Sequence, residues 1–194
     1  MSIRILTVVL CLSVMGLLVL QRFSGPPELT VTVAMVNEES NYHTGEELER
    51  GEMVTTQNGF LEFTIGEDTQ VYLAAQTQVE LHRIFEDEVV LKLKKGRIVV
   101  RTESEMPVVI KTNKTESLIH KSSASFVNYD FLQTVHVIPL SGSVQLTIGD
   151  ENLLTPVPFS IHETDPISYE TLEVNLEAGD AKAFYEWTDH VTRE

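Results

Sequence analysis

The chain has 194 residues, of which 42% are hydrophobic, enough for one packed domain with a short appendage. All 29 acidic residues but only 12 of the 14 Lys and Arg residues follow residue 25, so the chain beyond that point carries a net charge of −17. Such a surface repels nucleic acid, which we do not expect as a ligand, and the single cysteine, Cys11, excludes a disulfide framework and a cysteine nucleophile from the remainder.

The chain opens with an apolar stretch that is uncharged over residues 5–20. As a helix it would span about 24 Å, and Arg4 and Arg22 at its two ends can extend towards the lipid headgroups. The pattern predicts a transmembrane helix that anchors the chain through residues 1–23, followed by a linker over residues 24–28. A cleaved signal peptide is the alternative, but no small-x-small cleavage site follows the stretch, and two prolines stand close behind it.

Charge predicts the orientation of this anchor. The α-amino group and Arg4 precede the apolar stretch, whereas acidic residues accumulate after Arg22. By the positive-inside rule, the N-terminus is expected in the cytoplasm and the domain outside the cytoplasmic membrane. Only about four residues would then lie on the cytoplasmic side.

Apolar and polar residues alternate with a period of two from residue 28 to about residue 160. Stretches such as ELTVTVAMV, GFLEFTIG and SVQLTIG predict short strands separated by glycine-containing turns. The domain is therefore predicted to be all-β, as a barrel, a sandwich or a solenoid.

The stretch VVLKLKKGRIVV, residues 89–100, is unusual because it is basic within an acidic chain. Its cations are Lys92, Lys94, Lys95 and Arg97. Alternation predicts that Leu91 and Leu93 face the core and that Lys92 and Lys94 face solvent. The chain is expected to turn at Gly96 and to continue in a second strand.

Two interpretations of these four cations stay open. The acidic residues at 86–88, 103 and 105 would neutralise them, which favours a solvated strand surface that also discourages edge-to-edge pairing. The alternative is that Lys92, Lys94, Lys95 and Arg97 contact an anion or a partner.

In the stretch LERGEMVTTQNGFLEFTIGEDTQVYLAAQTQVEL, glycines expected in turns and apolar or threonine residues expected in strands recur in a defined order. They are Leu48, Gly51, Val54, Thr56, Gly59, Leu61, Phe63, Thr69, Val71, Leu73, Thr77 and Leu81. VLKLKKGRIVV and VHVIPLSGSVQLT continue it, whereas SASF at residues 123–126 stands where a Gly-Thr-x-Phe signature is expected. In these motifs, residues 45–148 resemble the extracytoplasmic domain of the FecR protein family.

The resemblance implies an extracytoplasmic, solenoid-like or jelly-roll-like β-domain, here placed at residues 29–160. In the best-known members, such a domain follows a transmembrane helix and a cytoplasmic anti-sigma segment, and it relays a signal from an outer-membrane transporter. The short cytoplasmic side expected here predicts a FecR-like domain that lacks the anti-sigma segment.

Residues 161–194 are predicted to form an acidic tail with a terminal strand near residues 172–176 and a short C-terminal helix. GDAKAFYEWTDHV has helical spacing, with Asp180 as a candidate N-cap. The predicted apolar face comprises Ala181, Phe184, Trp187 and Val191. This helix is expected to cover an open sheet edge. The alternative is that its aromatic residues, Phe184, Tyr185 and Trp187, anchor a partner.

No pattern in the sequence indicates catalysis or metal binding. The six histidines occur singly, without His-x-x-x-His spacing, and the serines at 122, 123 and 125 lack the glycines of a nucleophile elbow. No phosphate-binding loop is present. We expect no cofactor, no metal and no enzymatic activity.

The sequence thus predicts a membrane-anchored, extracytoplasmic, FecR-like binding or scaffolding domain of the bacterial cell envelope, with a protein or an envelope polymer as its partner. One alternative is a signal-transduction subunit that acts with another membrane protein. An alternative of a different class is a carbohydrate-active enzyme on a β-scaffold, which only the abundance of carboxylates favours.

Overall fold

The computed structural model describes residues 25–37, 41–176 and 181–191. Within these ranges, no helix is long and apolar enough to cross a membrane. The predicted anchor over residues 5–20 and the candidate N-cap Asp180 lie outside the described residues.

The described chain forms fifteen strands, one 3-10 turn and one α-helix. The strands are β1 Val31–Val36, β2 Glu47–Leu48, β3 Met53–Thr55, β4 Leu61–Ile65, β5 Thr69–Leu73, β6 Gln78–Phe85, β7 Glu88–Thr102, β8 Val108–Lys111, β9 Thr115–Ile119, β10 Ser123–Tyr129, β11 Thr134–Ser141, β12 Val144–Ile148, β13 Glu151–Thr155, β14 Phe159–His162 and β15 Ser168–Thr171. The 3-10 turn is Asp130–Leu132, and the helix, α1, is Ala181–Val191. The prediction of a mostly β-sheet domain with a C-terminal helix is confirmed.

All fifteen strands connect through β7, which takes part in two sheets. Its first half lies in the order β3-β6-β7-β8-β9-β12-β13, here called sheet A. Its second half lies in the order β2-β1-β4-β5-β7-β10-β11-β14-β15, here called sheet B. Neighbouring strands are antiparallel except β7 and β8, and the sheet is not closed.

Chain connectivity requires β7 to bend. Val108 pairs with Val89, near the start of β7, yet it follows Thr102, the end of β7, by only six residues. Six residues reach at most about 22 Å. A straight strand would separate Val89 from Thr102 by about 43 Å. Strand β7 therefore folds over, and its two halves belong to facing layers.

The bend lies at Gly96, where φ is +93°. A Cβ atom at this position would lie 2.5 Å from both Cα and Oγ1 of Thr77. The pairing register with β6 also shifts here, because Gln78 pairs with Lys95 but Val79 pairs with Leu93. The predicted turn at Gly96 is thus wrong: the same strand continues through the bend, because both of its halves find strand partners.

Side chains replace the hydrogen bonds that the bend removes from the sheet. The Thr77 hydroxyl accepts a hydrogen bond from the Arg97 N–H (3.0 Å) and donates one to the Arg97 carbonyl oxygen (3.1 Å). The Asn128 side-chain N–H group donates to the carbonyl oxygens of Leu93 (2.8 Å) and Lys94 (2.9 Å). Because buried backbone groups need partners, Thr77 and Asn128 stabilise the bend.

The main core lies between the two layers and draws on both sheets. Leu91 and Leu93 are buried in it, as predicted, with exposed fractions of 0% and 1%. Met35 does not follow the predicted alternation, because the register of β1 against β4 shifts between Val33 and Met35. Its side chain is exposed, whereas Val33 is buried.

A second, smaller core lies on the outer face of sheet B, where α1 packs. Tyr72 of β5 and Val99 of β7 are fully buried there against Phe184 and Tyr185 of α1. The prediction that this helix covers a sheet edge is wrong, because its contacts are with central strands. Apolar residues on both faces of β5 and β7 require a covering layer on each side.

The C-terminal segment departs from the sequence prediction in two details. The last strand is β15, Ser168–Thr171, which forms a hairpin with β14, and residues 172–176 contain no strand. Among the α1 side chains that the structure describes, Phe184, Tyr185 and Thr188 are buried, with Trp187 only partly buried. Tyr185, outside the predicted face, packs on sheet B and its hydroxyl lies 2.8 Å from that of Ser125 on β10.

Gly96→Ala should destabilise the protein more than Gly51→Ala. Both glycines have similar positive φ angles, +93° and +86°, but a Cβ atom at Gly51 would meet no atom within 4 Å. Gly51→Ala should therefore cost only the backbone strain, about 1–2 kcal/mol. Overlap with Thr77 should add about 1–3 kcal/mol for Gly96→Ala. Denaturant unfolding measures both, and equal losses would show that the close contact at the bend is absent.

Leu93→Ala should lower the free energy of unfolding by about 2–5 kcal/mol, because it removes buried methyl groups and leaves a cavity. The adjacent Lys94→Ala should change it by less than about 0.5 kcal/mol, because the Lys94 side chain is exposed. The same unfolding measurement compares the two variants. Similar losses for both would contradict the orientation of the first half of β7.

Candidate functional site

The four cations of residues 92–97 fall into two pairs with different surroundings. Lys92 and Lys94 lie on sheet A, where their Nζ atoms are 3.2 and 3.4 Å from the carboxylate oxygens of Glu80. Lys95 and Arg97 instead line a groove beside the bend. The four cations therefore do not form one patch.

The carboxylate that neutralises Lys92 and Lys94 is Glu80 on β6, not the flanking acids of the sequence prediction. Glu80 pairs directly with Lys92 across the two strands. Although burial opposes it, hydrogen bonds from His82, Lys92 and Lys94 hold the pKa of Glu80 below its ordinary value. Lys92 and Lys94 are therefore neutralised through a partner that only strand pairing reveals.

Three of the flanking acids pair with other cations. Asp87 and Glu88 lie 2.9 and 3.2 Å from the guanidinium of Arg83, and Glu105 lies 2.5 Å from Nζ of Lys121. Proximity along the chain does not place them near residues 92–97, because side chains on a strand meet their cross-strand neighbours first.

The groove beside the bend has a volume of about 480 Å³. It is lined by residues 74–76, 95–97 and 127–131, and we call it the bend groove. It lies where β5 and β10 end on either side of β7. The features that bend β7 thus also form this groove.

The bend groove combines apolar walls with two cations. Phe131, in the 3-10 turn, is 83% exposed, which is unusual for a large aromatic side chain. The Tyr129 ring packs edge-on against His136, with 5.0 Å between ring centroids. Burial lowers the pKa of His136, and the nearby His162 and Arg97 add to this, so that His136 is mainly neutral at pH 7.

No carboxylate among the described residues forms an ion pair with Lys95 or Arg97. The Arg97 guanidinium lies 5.6 Å from the centre of the Tyr185 ring, and its Nε atom is buried with no hydrogen-bond partner in the described part of the chain. One carboxylate, that of Asp130, also lines the groove. The groove is therefore locally cationic within an acidic domain, and it can accept an anionic group.

The aromatic residues predicted as an alternative partner anchor contact the chain itself. Phe184 and Tyr185 are 1% and 8% exposed, and Trp187 packs against Phe60 and Tyr72 with ring centroids 5.3 and 5.6 Å apart. Partner anchoring by these residues stays a prediction, which would require part of α1 to leave the sheet.

A second cavity, of about 570 Å³, lies between α1 and sheet B. Arg101 of β7 holds the helix here. Its guanidinium donates hydrogen bonds to the Thr188 carbonyl oxygen (2.9 Å) and to the Asp189 carboxylate (2.7 Å). Glu62 lies on the same face of the sheet and is 4% exposed; burial raises its pKa, and the charge of Arg101 opposes this rise only in part.

Within the described ranges, no three His, Cys, Asp or Glu side chains are close enough together to hold a metal ion. The residues that sequence reasoning missed are those of the groove wall, above all Tyr129 and Phe131. A signal for them was present, because the apolar pair Phe131 and Leu132 interrupts the alternation between two strands.

Comparison with solved structures shows a similar fold in two crystal structures, each described as a "putative anti-sigma factor" from Parabacteroides distasonis ATCC 8503. The first, at 1.65 Å resolution, has a TM-score of 0.56 at 14% identity, with 71% of this chain and 64% of that chain covered. The second, at 2.50 Å, has a TM-score of 0.55 at 14% identity, covering 63% and 60%.

At this identity the likeness shows the fold alone, and the chain spans less than two thirds of the length of either protein. No protein-family model and no curated protein matches the chain.

Glu62→Gln should stabilise the protein increasingly as the pH rises. The folded-state pKa of Glu62 is raised, so the folded chain binds the proton more tightly than the unfolded chain. In the wild type, ionisation of Glu62 therefore lowers the free energy of unfolding as the pH rises above the ordinary glutamate pKa, and the loss is complete above the raised pKa. Glutamine does not ionise, so the variant avoids this loss. Denaturant unfolding over a pH series measures the difference. Glu67→Gln, in an exposed turn, is the control; a pH-independent gain for Glu62→Gln would contradict this account.

Proposed function

We propose that this chain is a non-catalytic, FecR-like binding domain of the bacterial cell envelope that takes part in signal transduction with another envelope protein. Residues 5–20 would hold it in the cytoplasmic membrane with the β-domain outside. The bend groove carries the proposal. It offers two cations without carboxylate partners among the described residues, next to an exposed Phe131, in a domain that is otherwise acidic.

The groove suits recognition because its donors are held in place before a partner arrives. The backbone of Arg97 is fixed on both sides by Thr77, and its guanidinium rests on Tyr185. A fixed donor loses little conformational entropy on binding. Exposed aromatic and arginine side chains also dominate the binding energy of protein interfaces.

Two observations favour signalling over a purely structural role. The two solved structures of similar fold are each described as a "putative anti-sigma factor". In addition, Arg97 lies in the groove and contacts Tyr185 of α1, so a ligand that binds Arg97 acts on a residue that also contacts the helix. A domain that transmits binding needs such a link between two elements.

A photo-crosslinking amino acid at Phe131 tests this function in the full chain in its native cells. We expect one reproducible adduct with another envelope protein, which is lost when Lys95 and Arg97 are both changed to Gln. The same crosslinker at Leu154, which is 68% exposed on β13 at the far edge of sheet A from β7, is the control and should not form that adduct.

Protease added to spheroplasts of the same cells tests the orientation and should digest the β-domain. A domain protected from protease, or an adduct at Phe131 that persists without Lys95 and Arg97, would contradict the proposed function.

A further inference from the structure

The chemistry of the bend groove identifies the kind of segment that it binds. We infer that it takes an acidic, aromatic-containing peptide segment of a partner protein, with one carboxylate held between Lys95 and Arg97 and an apolar side chain against Tyr129 and Phe131. This inference rests on the proposed function and names the partner's chemistry.

The first argument is the state of Arg97. Its Nε–H is buried, and no acceptor is available to it within the described part of the chain, although its own backbone N–H and carbonyl oxygen are both hydrogen-bonded to Thr77. A buried donor without a partner is costly, and a carboxylate at the partly exposed Arg97 side chain offsets that cost with charge-assisted hydrogen bonds to the guanidinium. Phosphate oxygens could do so as well, so the other charges must decide between ligands.

The second argument is the charge around the groove. Lys95 and Arg97 favour an anion, whereas Asp130 on the wall and the net charge of −17 beyond residue 25 oppose a large one. His136, behind Tyr129, adds little charge at neutral pH because burial lowers its pKa. A ligand with a single carboxylate matches the charge of the groove, which holds two cations and the carboxylate of Asp130. A polyphosphate, a nucleic acid or an anionic membrane would be repelled by the surrounding surface.

The third argument is the apolar surface beside the cations. Ala74, Ala75 and Val127 line the groove, and Phe131 is largely exposed above it. Leu132, next in the 3-10 turn, is 57% exposed. An apolar or aromatic side chain of the ligand would bury this surface, and about 480 Å³ is room for a few residues and not for a folded domain.

Peptide binding to the full chain in lipid nanodiscs tests the inference. The probe is a fluorescent peptide with one carboxylate, acetyl-Gly-Gly-Phe-Glu-Leu-Gly-amide, and its twin carries Gln in place of the Glu residue. We expect the acidic peptide to bind about tenfold more tightly than its twin or better, because charge-assisted hydrogen bonds are lost in the twin. Lys95→Gln, Arg97→Gln and Phe131→Ser should each weaken binding of the acidic peptide by a similar factor.

The control is the double variant Lys92→Gln and Lys94→Gln, which removes two charges from the same strand, one more than either groove variant, but on the Glu80 side. It should leave peptide affinity unchanged. Arg97→Lys keeps the charge without the two-pronged donor and should bind more weakly than the wild type. If Arg97→Gln disturbs folding through Tyr185, the Lys95→Gln and Phe131→Ser variants still decide the question.

Three outcomes would overturn the inference: equal affinity for the acidic peptide and its twin, equal weakening by the Lys92 and Lys94 control, or Lys95-dependent binding to phosphatidylglycerol vesicles or polyphosphate without binding to the peptide. A crosslinked partner at Phe131 together with no peptide binding would leave the proposed function standing and reject only the ligand chemistry. Peptide binding without any crosslinked partner would support the ligand chemistry and reject the proposed function.

Discussion

The bend of β7 at Gly96 is the constraint on which the structure depends. Because β8 returns to pair with the start of β7 after a connection of only five residues, the two ends of β7 must lie close together, and a straight strand cannot satisfy this. Bending one long strand places its halves in two facing layers. The main core then forms between them without a separate connection at the crossing point.

The residues that permit the bend also explain part of the spacing that resembles FecR-type domains. Thr56 accepts a hydrogen bond from the Thr77 N–H, and the Thr77 hydroxyl in turn pairs with both backbone groups of Arg97. Gly96 packs on the Thr77 backbone, where no side chain fits. Positions that are far apart in sequence thus meet at one point, so their spacing reflects the geometry of the bend.

Sequence patterns were sufficient for the elements that depend on local alternation. The period of two located Leu91 and Leu93 in the core, and helical spacing located α1. They were insufficient where the structure depends on which distant strands pair with each other. Gly96 has the local signature of a turn, and only the partners of both halves of β7 make it a bend. The neutralisation of Lys92 by Glu80 likewise depends on strand register, which flanking residues do not reveal.

The bend groove also depends on long-range strand pairing, and this pairing explains where the groove lies. A strand that bends must leave its neighbours, so β5 and β10 end beside Gly96 and open a groove. Arg97, the first residue after the bend, points to the outer face of sheet B, where α1 places Tyr185 against it. Arg97 therefore belongs at once to the groove and to the second core. A ligand that binds the Arg97 guanidinium in the groove would therefore act on a side chain that also contacts α1 through Tyr185.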